Sequence, residues 1–232
     1  MRTPGRLIGQ WLLALAAFGV LLQAVLFARI GALNCLPAGS TSFMRAQAHA
    51  LARAGEKPAG LEHRWVDYER MSVHIKRAVI AAEDANFAEH AGIDIEAIEK
   101  ARERNQRRGK VVAGASTITQ QLAKNLYLSG ERSYARKAQE VIITFMLEIW
   151  CSKQRILELY LNSVEWGVGV FGVEAASRHY FSVGADRLTA EQAAWLGSAL
   201  PNPRFYDKHR AHPHLLWKSG LIQSRMPAAQ VP

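Results

Sequence analysis

Hydrophobic and polar residues follow three rhythms along this chain, and each predicts a different kind of element. The first is unbroken: Leu7 to Ala28, LIGQWLLALAAFGVLLQAVLFA, carries no charge, and Gln10 and Gln23 are its only strongly polar side chains. A helix of that length crosses a hydrocarbon layer of about 30 Å. A cleavable leader would have a shorter apolar core ending in a small-x-small site, so the run predicts an uncleaved anchor. Arg2 and Arg6 precede it and Arg29 follows; the basic amino end is expected in the cytoplasm and the remainder outside. The second rhythm is weak. Asn34 to Arg64 is rich in Pro, Gly, Ser and Ala and reads as a linker with an irregular lead-in. HRWVDY (His63 to Tyr68) alternates enough for one short strand or extended segment.

From Ser72 onward the third rhythm, a helical one, holds almost to the end. Ile75 to Ala82 reads as a buried helix that delivers Glu83 and Asp84 at its end. Ile95 to Arg108 carries Glu96 before Lys100 and Glu103 before Arg107, i,i+4 pairs that support an exposed helix, and Gly109 ends it. Thr117 followed by Gln120 matches a capping box. The helix it opens sets a polar stripe (Gln120, Gln121, Lys124, Asn125) beside an apolar one (Ile118, Leu122, Leu126). A second helix is predicted from about Tyr134 to Trp150, with Arg136, Lys137 and Glu140 on one face. Ser152 caps a third, KQRILELYLN, ending at Asn162. Gly167, Gly169 and Gly172 predict a flexible turn before a helix holding Glu174, Ala175 and Tyr180. Thr189 with Gln192 forms another capping box, and Pro201-Asn202-Pro203 stops that helix. The last 30 residues are basic and read as loosely organised.

Composition sharpens this only in places. The 232 residues suit one domain, or one domain plus an anchor. A net charge of +9 calls for a negatively charged partner such as nucleic acid, anionic lipid or a phosphorylated substrate. Cys35 and Cys151 form no metal spacing, and Cys151 reads as a core residue. His209, His212 and His214 come without matching acids or cysteines, so no metal site is assigned to them.

Each polar cluster has a plain structural reading beside a chemical one. Glu83 and Asp84 are either a solvated acid pair or a partly desolvated base at a helix end. Arg136, Lys137 and Glu140 are either a surface ion-pair set or an anion clamp. Gln120, Lys124 and Asn125 are either a solvated face or one wall of a cleft, and His90 alone is more often structural. The glycines at 167, 169 and 172 lack the frame of a phosphate loop.

The ordered segments tilt the balance. EDANFAEHAG, GASTITQQLAKN, RKAQE, KQRILELYLN and GVFGVEAASRHYF, between Glu83 and Phe181, resemble the five ordered motifs of the glycosyltransferase family 51 peptidoglycan polymerases. The similarity continues to about Pro203, and Ala115 stands where the family commonly has a second glycine. With a lone anchor and no transpeptidase domain following, the chain resembles the monofunctional members. The resemblance implies a mainly α, lysozyme-like helical glycosyltransferase domain behind one N-terminal transmembrane helix. The corresponding division is 1–30 cytoplasmic tip and anchor, 31–64 linker, 65–206 catalytic domain and 207–232 basic tail.

It further implies that Glu83 is the base that takes a proton from the acceptor 4-hydroxyl of lipid II. Glu140 then stands near the leaving group of the growing glycan chain. Arg136 and Lys137, with Lys124 and Arg132, would hold the donor diphosphate; Gln121 and Lys124 line the substrate channel. Asp84, His90, Ser116, Thr117, Gln120 and Asn125 also count as substrate-binding positions, Asp84 and His90 shaping the site rather than reacting. A divalent cation, Mg or Mn, is an expected assistant without a protein metal site of its own. Membrane lipids and cell-wall synthesis or division proteins are expected partners; nucleic acid is not. The expected location is the bacterial cytoplasmic (inner) membrane, single-pass, with the catalytic domain on its outer, periplasmic side. A membrane-bound lytic transglycosylase or hydrolase is the first alternative, and a non-enzymatic anchored scaffold the last.

Overall fold

A computed structural model describes residues 4–53, 61–110, 114–131 and 133–232. Eleven helices account for most of the described chain: α1 Pro4–Ala32, α2 Ser42–Arg53, α3 Val73–Glu83, α4 Ile95–Arg108, α5 Ile118–Tyr127, α6 Tyr134–Trp150, α7 Lys153–Ser163, α8 Val173–Phe181, α9 Ala190–Ala199, α10 Pro203–Lys208 and α11 Pro213–Arg225. The local signals behind them operate as expected. Thr117–Gln120 and Thr189–Gln192 form reciprocal capping boxes, and Ser152 caps α7. Glu96–Lys100 and Glu103–Arg107 pair along α4, which closes on a left-handed Gly109.

Two packed layers build the core. α9 packs against both α3 and α11, while α5 lies between α6 and α7. Ile75, Ile80, Phe87, Ile118, Leu122, Ile143, Leu147, Ile156 and Tyr160 are fully buried where these helices meet.

α1 includes a span, Leu7–Ala32, of mean hydropathy 2.3, long and apolar enough to cross a membrane. Its last turns belong to the folded body. Ile30 is fully buried, and the Phe27 ring packs 5.1 Å from that of Trp150 on α6. Gln23 Nε2 donates to Gln139 Oε1 at 2.9 Å. Arg155 then holds the exit of the helix through Nε to the Leu33 carbonyl (2.7 Å) and Nη2 to that of Leu36 (2.6 Å).

Three expectations are corrected, and the short strand or extended segment expected at HRWVDY is found in part. The 31–64 linker contains α2, which buries Met44, Gln47 and Leu51 and packs on α5. Its alanines, read as linker composition, are the best helix formers; residues 54–60 lie outside the described residues. The HRWVDY segment is strand only at its start, β1 Glu62–His63. Beyond that, Val66 gives its N–H to the Asn162 side chain and its carbonyl takes the Asn162 amide, and a 3-10 turn follows at Tyr68–Arg70. The glycine-rich turn is a buried hairpin, β2 Glu165–Gly167 antiparallel to β3 Val170–Phe171, with β1 parallel to the other edge of β3. Fully buried Trp166 and Phe171 fix it in place.

The C-terminal stretch 207–232 is not loose, since α11 packs on α9 and α3 through Leu215 and Ile222. Its histidines serve local structure: His212 caps α11, His209 Nδ1 faces the Phe205 carbonyl and His214 Nδ1 faces the Tyr206 hydroxyl. Cys35 and Cys151 are both free, the first exposed and the second buried.

Candidate active site

α3 is an apolar helix whose last residue is Glu83 and whose C-cap is Asp84. The two neighbouring carboxylates have different tasks. Asp84 Oδ2 accepts the N–H of Ile118, the first residue of α5, at 3.0 Å, while Oδ1 meets His90 Nε2 at 2.9 Å. His90 Nδ1 accepts the Gly92 N–H at 3.1 Å, so the ring proton sits on Nε2 and points at Asp84. Gly92, at φ +85°, returns the chain so that its carbonyl accepts the Thr117 hydroxyl at 2.6 Å. Asp84, His90, Thr117 and Gln120 therefore form a lock between the end of α3 and the start of α5.

Glu83 stands free of that lock. It is half-buried, and its Oε2 accepts one neutral donor, Gln121 Nε2, at 2.8 Å. Gln121 is oriented in turn by the fully buried Tyr160, whose hydroxyl donates to Gln121 Oε1 at 2.9 Å. Burial holds the Glu83 carboxyl above the usual carboxylate range; the Gln121 hydrogen bond and then Lys218 pull it back, Asp84 pushes it up and Lys124 again lowers it. A cavity of about 310 Å³ opens beside it, lined by Glu83, Asn86, Lys100, Arg104 and Ser116 among others.

A second carboxylate lies one helix away. Glu140 is 4% exposed on α6. Its Oε2 accepts Arg136 Nη1 at 2.8 Å and its Oε1 pairs with the Lys137 ammonium. Among the described residues the Nε of Arg136 is buried without a partner. Lys124, on α5, joins the two clusters. Burial lowers its pKa first, Glu140 raises it, Arg136 and Lys137 lower it, and Glu83 raises it. Asn125 is buried, with its Nδ2 on the Gln121 carbonyl, and Ser116 is exposed at the cavity rim. Arg132 lies outside the described residues.

The arrangement is thus one enclosed carboxylate with a neutral donor, one clamped by cations, and a lysine between them. The family model described as Transglycosylase matches residues 49–226. This chain belongs to the transglycosylase family. It is 56% identical over 223 residues to a biosynthetic peptidoglycan transglycosylase of Janthinobacterium sp. (strain Marseille), covering 96% of each chain. Relatives of the same description are 51% identical in Ralstonia nicotianae (100% of this chain, 99% of the relative) and 50% identical in Nitrosomonas eutropha (99% and 95%).

The transglycosylase match runs through α11, and that helix holds a residue the sequence alone did not flag. Lys218, half-buried on α11, is a cationic neighbour of Glu83. Tyr160 was likewise missed, because neither its helix nor its spacing reveals a hydrogen bond to a side chain 39 residues away. For a cation, the described residues offer one group of three candidate ligands, Asp84, His90 and Asp94. It fits poorly. Asp94 accepts Ala97 N–H at 2.8 Å and Asn86 Nδ2 at 3.1 Å, and the His90 nitrogen facing Asp84 carries a proton. Asp84 and His90 are engaged in the structural lock, and Asp94 caps α4.

Proposed function

We propose that the protein is a peptidoglycan glycosyltransferase that polymerises lipid II into glycan strands. The observation that carries this reading is the pairing of two enclosed carboxylates of opposite surroundings, Glu83 on a neutral donor and Glu140 among cations, with Lys124 between them. A carboxyl raised by burial is a better proton acceptor than an exposed one. In this reading Glu83 takes the proton of the lipid II 4-hydroxyl as that oxygen attacks the anomeric carbon of the growing chain. The bond to the lipid diphosphate breaks with inversion, and the diphosphate departs with the electron pair. Gln121, fixed by Tyr160, aims Glu83.

Lys124, Arg136 and Lys137 offer fixed positive charge where negative charge develops, and the unpartnered Nε of Arg136 is a free donor there. Arg132 joins them in this reading by its place in the sequence. Mg or Mn enters as a counter-ion carried by the substrate's diphosphate, and no step depends on it. Ser116 and Asn125 border the channel. A glycan-cleaving enzyme would use Glu83 as an acid but would have no anion for these cations to hold. With α1 as a single-pass anchor in the bacterial inner membrane, the catalytic domain lies on the outer face, where the lipid-linked substrates lie, and cell-wall synthesis proteins are its expected neighbours.

The test uses full-length protein in detergent with labelled lipid II, products being separated by gel. The expected product is long glycan that lysozyme digests and moenomycin prevents, absent in Glu83→Gln. Fragment release from preformed glycan without any polymer would overturn the reading. Polymerisation by Glu83→Gln at the wild-type rate would remove Glu83 as base.

A further inference from the structure

α11 presents Leu215, Lys218 and Ile222 along one stripe, at i, i+3 and i+7 spacing. Leu215 is fully buried and Ile222 is 2% exposed, so the stripe is the packed face, directed at α9 and α3. Lys218 stands half-buried in its middle. A lysine on a packed face normally pairs with a carboxylate or reaches out to water. Lys218 makes no ion pair within 4.0 Å among the described residues, unlike Lys100, Lys137 and Lys153. Burial lowers the Lys218 pKa, and Glu83, at the end of the helix that α11 packs against, raises it. Lys218 and Lys124 in turn both lower the pKa of Glu83.

We propose that Lys218 is the counter-charge of the Glu83 carboxylate, a positioning residue on the C-terminal helix that keeps the base ionised before the acceptor arrives. The inference rests on Glu83 being the base. The physical need is plain: desolvation favours the neutral form of an enclosed carboxylate with one neutral hydrogen bond, and only the ionised form can accept the 4-hydroxyl proton. The other groups facing Glu83 do not fill this need. Asp84 adds like charge, Tyr160 and Gln121 are neutral, Lys124 is shared with Glu140, and of the cavity-lining cations Lys100 is already on Glu96 and Arg104 Nε on the Lys100 carbonyl. A cation set near Glu83 but not bonded to it favours the ionised form and leaves the carboxylate oxygens free for the hydroxyl.

The experiment measures kcat/KM for lipid II against pH in full-length wild-type, Lys218→Met and Lys218→Arg proteins, with melting temperatures alongside. The acid limb of that profile reports the base of the free enzyme. Lys218→Met is expected to move the limb to higher pH, so that activity on the limb falls roughly threefold or more while the plateau changes less. Lys218→Arg should restore the wild-type limb. Coincident limbs in all three proteins, or a fall in the plateau with no movement of the limb, would overturn the proposal in favour of packing or direct substrate contact. Isotope-edited infrared detection of the Glu83 carboxyl in wild-type and Lys218→Arg proteins gives the same answer without turnover or the Met variant. The two must ionise together, and a protonated carboxyl in wild type at the plateau pH would sink the idea. If Glu83→Gln keeps full activity, the base assignment falls instead, a result that differs from a null effect at Lys218.

Discussion

Removing the Asp84 carboxylate is the sharpest test of the lock between α3 and α5. Asp84→Ala deletes two acceptors at once. Ile118 N–H, on a fully buried residue, loses its 3.0 Å partner, and His90 Nε2 loses its 2.9 Å partner in a pair whose side chains are 10% and 3% exposed. Each orphaned buried donor costs about 1–3 kcal/mol, so the variant should lose about 4 kcal/mol in all. For a chain of this size each kcal/mol is worth about 2–4 °C, giving a fall in melting temperature of roughly 10 °C. Asp84→Asn keeps one acceptor for Ile118 and should lose less than half as much. The assay is thermal unfolding of purified protein in detergent, with His90→Ala and the double variant closing a mutant cycle. A coupling energy near zero, or Asp84→Ala melting within a degree of wild type while turnover vanishes, would refute the structural role and make Asp84 a chemical participant.

Glu83 gives a prediction of opposite sign. Its folded pKa is raised above the ordinary value of 4.5, so ionising it costs stability as pH rises through and beyond that range. Glu83→Gln should therefore melt higher than wild type at pH 7, with the gap closing as pH falls towards 4.5; a gap independent of pH would refute the burial argument. At Gly92, a Cβ would come within 2.6 Å of Thr144 Cγ2 at φ +85°. Gly92→Ala should cost about 2–4 kcal/mol, and Thr144→Ser in the same chain should recover part of it; simple additivity in the double variant would show that the clash is not the cause. Burial pushes the Cys151 thiol up to about 11, whereas Cys35 is exposed. A maleimide at pH 7.5 should label one cysteine per chain in the folded protein, none after Cys35→Ser, and Cys151 only on denaturation.

What the sequence determined by itself is whatever is settled within about one helical turn or by an unbroken apolar run. The unbroken apolar run stands as one long helix, and the capping boxes at Thr117 and Thr189, the Ser152 cap, the Glu–Lys and Glu–Arg pairs of α4 and the Arg136–Lys137–Glu140 face, which depend on residues three or four apart, stand as well. The order of motifs also placed the chain in its family. Tertiary structure decided the rest. α2 was hidden because alanine-rich composition suits a linker and a helix alike, and packing on α5 chose the helix. The hairpin was hidden because its strands are two and three residues long, too short for any period to register, and buried aromatics fix it. α11 was hidden because its apolar residues do not keep to one face, with Leu216 and Trp217 exposed while Leu215 and Ile222 are buried. No pattern could show that Lys218 faces Glu83, that Tyr160 orients Gln121, or that Asp84 holds α5 across 34 residues. Those meetings arise when separate helices bury their apolar faces together, and only the packed chain brings the polar residues between them into reach.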